Sequence, residues 1–237
     1  MSAPASAPAA PFLVLCGGAN SRMDVLQGTI YKPFLELRST TLVAKHLARA
    51  ARAGHRTLRI VVDERDPLVM AYVDRLRATL GVDVRVSIVA GPARAKIAGA
   101  LRGEGEDRAA VVVLGDTYAW YDPGALLARL DDGGPYGCIA VAPYRLPFGV
   151  VRVGDGAVRA FQEKPATPYL VNLGIMALHP KAVAMLRDGL DVAELLAGLA
   201  ADGQLAAVEV PGGFVNVDSL DGVAHAFGPD GAAVLGG

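Results

Sequence analysis

Four segments carry residue types suited to handling phosphates. The first is LCGGANSRM at positions 15–23. The adjacent glycines Gly17 and Gly18 let the backbone approach a ligand closely and turn amide donors toward it. Arg22 adds a planar, permanently charged fork that matches phosphate oxygens. Lys32, followed by Pro33, supplies a second cation ten residues on. The second segment, Gly115-Asp116, closes the most apolar run of the chain. A carboxylate there could serve a hard cation such as Mg²⁺, which takes one or two carboxylates with water and phosphate oxygens. The third, FQEKP at 161–165, offers Glu163 for hydroxyl hydrogens and Lys164 for a phosphate. VNLG just downstream adds Asn172, which can donate and accept, and Gly174. The fourth, VNVD at 215–218, ends in Asp218, either a second metal carboxylate or the cap of the helix that follows.

Each segment also has a purely structural reading: a tight turn with two solvated cations, an Asx turn at Asp116, an exposed charged turn at 161–165. Two common nucleotide motifs are absent. No G-x-x-x-x-G-K-[ST] occurs, so there is no P-loop. The glycines at 17–18 do not open a helix, and Asp63 lies far beyond the ~20 residues at which a dinucleotide fold places its acid.

These segments need a scaffold, and the hydrophobic pattern supplies one. FLVLC (12–16), LRIVV (58–62) and AVVVL (110–114) are continuous apolar runs of the length of buried strands, and VDVRVSI (82–88) alternates. Helices are expected over about 41–53, 66–80, 95–102 and 122–131, with Thr40 or Thr41, Asp66-Pro67 and Asp122-Pro123 as start signals. Residues 17–40 show no clean period and read as a long functional loop. Strand–helix alternation argues a parallel sheet with right-handed crossovers. After 135 the texture changes to strands at 136–142, 148–153, 157–162 and 170–178, with a hairpin turn at Gly154-Asp155-Gly156. Helices at 180–187, 191–201 and 219–227 and short strands at 205–210 and 214–217 complete the chain. The expected architecture is one α/β domain over 11–228 with a mixed, mostly parallel sheet flanked by helices. Residues 1–10 are expected to be a disordered tail and 229–237 a frayed one.

Composition narrows the function. The 237 residues are 52% hydrophobic and 20% charged, enough for a full core. The net charge of −1 gives no global field toward nucleic acid or anionic lipid, so neither is an expected partner. No apolar run reaches the ~20 residues of a membrane span. Cys16 and Cys138 sit in apolar runs and read as buried free thiols of a reducing compartment, which makes the expected location cytoplasmic. The four histidines share no ligand spacing. Trp120 fits core packing and a pocket wall equally well. Arg94 and Lys96 read as solvated charges, with a phosphate or base contact as the sharper option.

Taken together and in order, the segments resemble the sugar-1-phosphate nucleotidyltransferase family, over about 12–227. Its opening, roughly L-A-G-G-x-G-T-R-[LM], is matched by LCGGANSRM, and its lysine-proline by Lys32-Pro33. Its G-D is matched by Gly115-Asp116, its E-K-P by Glu163-Lys164-Pro165, its V-N-x-G by Val171, Asn172 and Gly174, and its closing aspartate by Asp218. The resemblance implies a Rossmann-like nucleotidyltransferase fold and a reaction of NTP with sugar 1-phosphate to give NDP-sugar and pyrophosphate. It implies Arg22 and Lys32 as catalytic cations, and Leu15, Gly17, Gly18, Asn20, Ser21 and Gly99 around the nucleotide. It further implies Glu163, Lys164, Asn172 and Gly174 around the acceptor, Asp116 and Asp218 on Mg²⁺, and a homodimer. The sequence departs from the pattern at Cys16, Asn20 and Ser21, and in KIAGAL (96–101), where the family often has G-T-A-G-A-L. Lys96 and Ile97 there could alter the choice of base or acceptor. A family aromatic before the last aspartate is missing, and Asn216 occupies that stretch. The departures also leave room for a non-sugar phosphate or phosphonate acceptor, or for a catalytically weak sensing subunit.

Overall fold

The computed structural model describes residues 10–17, 32–102, 107–146 and 148–236. A seven-stranded sheet forms the centre. Its strands are β1 (Phe12–Leu15), β2 (Thr57–Val62), β3 (Asp83–Ile88), β4 (Ala110–Leu114), β6 (Gly137–Arg145), β9 (Ala166–Leu178) and β10 (Leu205–Glu209), in the order β10-β6-β9-β4-β1-β2-β3. Only β9 runs against its neighbours; β1, β2, β3 and β4 pair in parallel, as do β6 and β10. The expected mixed, mostly parallel sheet is therefore present.

Both faces of the sheet are covered, which is why the central strands are apolar without alternation. Phe12, Val14 and Cys16 point into one core with α1 (Leu42–Arg52), α2 (Pro67–Leu80) and α4 (Pro123–Leu127). Leu13 and Leu15 point into the other with α3 (Ala93–Leu101), α5 (Pro180–Arg187) and α6 (Val192–Ala201). The helix starts follow local chemistry. The Thr41 hydroxyl accepts from the Ala44 amide, and the Asp66 carboxylate from those of Leu68 and Val69 ahead of Pro67. Cys16 and Cys138 are buried and unbridged.

Four expectations need correction. Helix α4 stops at Leu127 rather than near 131, because Arg129 and Leu130 bond back three residues instead of four and tighten the chain into a turn. Strand β9 begins at Ala166 rather than 170. Its first half pairs only with β6 and leaves its other edge open, so Pro168 costs no ladder bond there. A short strand β5 (Thr117–Ala119) pairs antiparallel with β11 (Phe214–Asn216) outside the main sheet. Residues 229–235 are not frayed. After α7 (Leu220–Phe227), α8 (Pro229–Leu235) buries Val234 and Leu235 against Leu37, Leu42, Tyr118 and Val215. Burial of those two side chains is worth roughly 3–5 kcal/mol, enough to hold a short terminal helix. The remaining pair, β7 (Val150–Gly154) and β8 (Ala157–Gln162), forms the expected hairpin. Asp155 and Gly156 both have positive φ, as a two-residue turn of this hand requires. No described helix is long and apolar enough to cross a membrane.

Candidate functional site

Parallel strands aim their carboxyl ends at one edge of the sheet, where open α/β sheets bind ligands. β1 ends there at Leu15, and Cys16 and Gly17 lead into the glycine loop. Of that loop, Gly18, Asn20, Ser21 and Arg22 lie outside the described residues. Leu15 is itself buried in the sheet core, and its carbonyl accepts the Gly115 amide at 2.9 Å. The chain re-enters at a single 3-10 turn, Lys32–Phe34, which presses on the end of β4. A Cβ built at Gly115 would stand 2.9 Å from the Pro33 Cβ and 3.0 Å from the Leu15 carbonyl. Glycine is thus required for β1, β4 and the Lys32-Pro33 turn to meet.

That meeting assembles the cluster. Lys32 Nζ donates to Asp218 Oδ1 at 2.9 Å and to the Asp218 carbonyl at 3.3 Å. Asp218 reaches the position because the β5–β11 ribbon carries the end of the chain back to β4. The Val217 amide donates to the Asp116 carbonyl at 2.9 Å. Asn216 braces the same joint from both ends of its side chain. Its Nδ2 donates to the Thr117 hydroxyl at 2.8 Å, and its Oδ1 accepts the Asp218 amide at 2.8 Å. No motif at the sequence level marks Asn216 for this role, and its only signal was that it departs from the resemblance. Helix α7 takes its cap from Ser219, whose hydroxyl accepts the Gly222 amide, so Asp218 is not spent on capping.

The two carboxylates feel one another. Burial pushes the Asp116 carboxyl above its ordinary range, and the Asp218 charge pushes it further; Lys32 and the Thr117 hydroxyl pull it back. Two oxygen donors of this kind beside a buried lysine are the described residues that could hold a hard divalent cation. Among the described residues there is no cluster of three or more metal-ligating side chains.

A buried network holds the loop behind Asp116. His46 on α1 places Nε2 2.8 Å from the Thr117 carbonyl and Nδ1 2.9 Å from the Tyr121 hydroxyl. A carbonyl only accepts, so Nε2 carries the hydrogen and Nδ1 accepts a hydrogen bond from the Tyr121 hydroxyl. Burial pushes the His46 pKa down to about 4, which keeps the ring neutral in this role. Arg49, also on α1, donates to the Tyr121 carbonyl at 2.6 Å and stacks 4.2 Å over the Trp120 ring. Trp120 is therefore a platform for Arg49.

Asn172 and Gly174 lie at the same end of the sheet, because β9 runs antiparallel. Ile175 pairs with Val113, so Gly174 sits beside Leu114. Gly174 has φ +67° within an irregularity of the β6–β9 ladder, and its amide donates to Asn172 Oδ1 at 3.0 Å. Asn172 itself is exposed. Glu163 and Lys164 are exposed at the turn between β8 and β9. No hydrogen bond or ion pair joins either to Lys32, Asp116 or Asp218 among the described residues. Gly99 has a packing reason, since a Cβ there would meet Val89 methyls at 3.0 and 3.1 Å.

One expectation about charge is overturned. Lys96 is not solvated: its side chain is 4% exposed and paired with Asp63, 2.9 Å from Oδ1 and 3.0 Å from Oδ2. The pair lies directly on Gly17. A Cβ at Gly17 would fall 2.0 Å from Asp63 Oδ2 and 2.6 Å from Lys96 Nζ.

A Rossmann-like sheet with a lysine and two aspartates at its carboxyl edge defines a nucleotide-handling α/β protein. The family model for nucleotidyl transferases matches residues 12–197, and the chain belongs to that family and is a nucleotidyltransferase. Asp218 lies beyond the matched segment and joins the site through the β5–β11 ribbon. The fold is similar to a crystal structure from Bacillus anthracis, in complex with a sucrose, provisionally described as a glucose-1-phosphate thymidylyltransferase. The TM-score is 0.73 at 16% identity, over 92% of this chain and 94% of that one. No curated protein matches the sequence.

Proposed function

We propose that this edge of the sheet joins a nucleoside triphosphate to a sugar 1-phosphate, giving an NDP-sugar and pyrophosphate, with Mg²⁺ as cofactor. The observation that carries the reading is the convergence of Lys32, Asp116 and Asp218, far apart in sequence, beside the end of β1.

The acceptor's phosphate oxygen attacks the α-phosphorus in line, the α–β P–O bond breaks, and pyrophosphate leaves. No general base is needed, because a phosphate monoester with a second pKa of about 6 is already mostly dianionic near neutral pH. The obstacle is the approach of two anions, and positioned cations remove it. Lys32, bonded to Asp218, would steady the α-phosphate and the incoming phosphate, and Arg22 the outer phosphates. The loop amides at Gly17, Gly18, Asn20 and Ser21 hold the nucleotide beside Leu15. Asp116 and Asp218 would hold Mg²⁺, which when bound neutralises phosphate charge. Glu163, Lys164, Asn172 and Gly174 border the acceptor side.

The test is pyrophosphate release by the purified protein with Mg²⁺, across a panel of NTPs and sugar 1-phosphates. Phosphocholine, a cyclitol phosphate and a phosphonate complete the acceptor panel. Turnover with a sugar 1-phosphate is expected. Turnover only with another acceptor moves the assignment to that acceptor. Nucleotide binding without any turnover would make the protein a sensor. Binding is read by thermal shift, where a ligand at about 100 times its Kd stabilises by about 2.7 kcal/mol.

A further inference from the structure

We propose that two copies of this chain dimerise face to face through the β7–β8 hairpin, an inference independent of the reaction proposed above. Among the described residues, fourteen large hydrophobic side chains are exposed, and eight of them lie between Phe148 and Leu170. The other six are scattered over the rest of the surface, as single exposed apolar residues usually are. Eight within one short segment make a patch, and an apolar patch larger than a few hundred Å² marks an interaction surface.

The register of the hairpin gathers the patch onto one face. Val151 pairs with Phe161, and Val153 with Val158. Directly opposed residues share a face, as do residues two apart on one strand. A regular ladder would continue from the Arg152–Ala160 pair to Val153 against Arg159. The irregularity after Arg152 skips Arg159 and brings Val158 opposite Val153 instead. Val151, Val153, Val158 and Phe161 thus form an uncharged face, each residue between 49% and 65% exposed. Arg152 takes the reverse face, and Arg159 turns back to donate to the Gly154 carbonyl and to Asp155. The hairpin pairs with no third strand. A two-stranded ribbon is marginal in water unless something packs on its apolar face, and in the single chain this face stays open.

Three features make a second copy the occupant. The first is area. With aromatic side chains near 200 Å² and valines and leucines somewhat smaller, the eight expose on the order of 800 Å². A standard interface takes about that much from each partner, ~800 Å². The second is charge. A two-fold contact sets a patch against itself, and a face without charges brings no like charges together. A partner recognised by charge would find nothing there to read. The third is the neighbouring edge. The open side of the first half of β9 carries Pro168, which has no N–H to donate and blunts strand addition. The copies therefore meet by faces rather than by joining edges.

The experiment is sedimentation equilibrium of the full chain, as wild type, Val153→Asp and Phe161→Asp, with folding checked by circular dichroism. Interfaces of this size have micromolar or tighter dissociation constants, so the wild type is expected to be a dimer at about 50 µM. Each aspartate places a charge in the centre of the face and is expected to raise the dissociation constant about 30-fold or more. A wild type that is monomeric at that concentration overturns the proposal, as does a folded variant that dimerises as tightly as the wild type. Should neither variant fold, hydrogen exchange of the wild type decides. Amides of 150–162 are expected to exchange more slowly above the dissociation constant than below it, and equal exchange overturns the proposal.

Discussion

Two lysine–aspartate pairs flank β1, alike in burial and different in company. Lys32 and Asp218 are 9% and 34% exposed; Lys96 and Asp63 are 4% and 33% exposed. On the β4 flank, however, one lysine faces two carboxylates, so the described charges sum to −1 and Asp116 is pushed toward protonation. On the β2 flank Lys96 and Asp63 cancel. A cluster with an unmatched carboxylate has charge to offer a cation, and through it a polyphosphate. A neutral pair, closed on itself, has no net charge to offer a cation. Burial alone would have ranked the two pairs as equals. The second carboxylate separates their chemistry.

The sharpest way to break this comparison is to remove that carboxylate. Asp116→Asn is expected to lower pyrophosphate release by about 10²–10³-fold, by analogy with losing one preorganised transition-state contact, with the fold retained by circular dichroism. Near-normal turnover would mean that the β4 flank is not the reactive one.

The next effect concerns pH and the brace behind Asp116. The folded pKa of His46 is held near 4, below its ordinary 6.5. The unfolded chain therefore binds the proton first as pH falls. The stability His46 contributes is complete above about 6.5 and is lost as pH falls through 4, by up to roughly 3 kcal/mol. Burial lowers His55 as well, so wild-type stability is expected to decline through this window from both sites. His46→Asn should flatten part of the decline in urea midpoints measured from pH 7 to 4.

A smaller effect tests the asymmetry inside the β2 pair. Asp63→Ala strands a sealed ammonium, whereas Lys96→Met strands a carboxylate that water can reach. The first is expected to be the more destabilising, by about 1–3 kcal/mol, in matched denaturation curves. Equal losses would mean that Lys96 re-solvates freely. The smallest effect compares the two glycines. Gly115→Ala drives a methyl into a proline ring and a backbone carbonyl, which cannot easily yield, at about 1–3 kcal/mol. Gly17→Ala displaces only the ends of two side chains and should cost less stability while weakening nucleotide binding in a thermal shift.

Much of the scaffold is legible in the chain itself. β1, β2 and β4 are continuous apolar runs, and strands covered on both faces have no other option. Asp66-Pro67 and the Asp155-Gly156 turn announce their geometry through capping and positive φ. The candidate site is legible only in part. Lys32, Asp116 and Asp218 could be named from their types and places, yet nothing local shows that they meet. Lys96 was misjudged because a lysine in a helix gives no local sign of a partner; Asp63, 33 residues earlier, supplies one. The strand at 214–217 is legible, but β5, its pairing with β11 and the role of Asn216 are not, for the same reason. Their pairing spans roughly a hundred residues, and three-residue strands carry almost no periodicity.

The sequence by itself determined the layered α/β architecture, the loop after β1 and the cast of charged residues, because hydrophobic period, capping and turn chemistry act over a few residues. Only the tertiary structure decided which aspartate each lysine would face, because a side chain's electrostatic surroundings are set by elements that arrive from distant parts of the chain. α8 shows the dependence most simply. Pro229–Leu235 looks like a loose end until Tyr118, Val215 and Leu42 are in place to receive it, and the ribbon it covers is the one that carries Asp218.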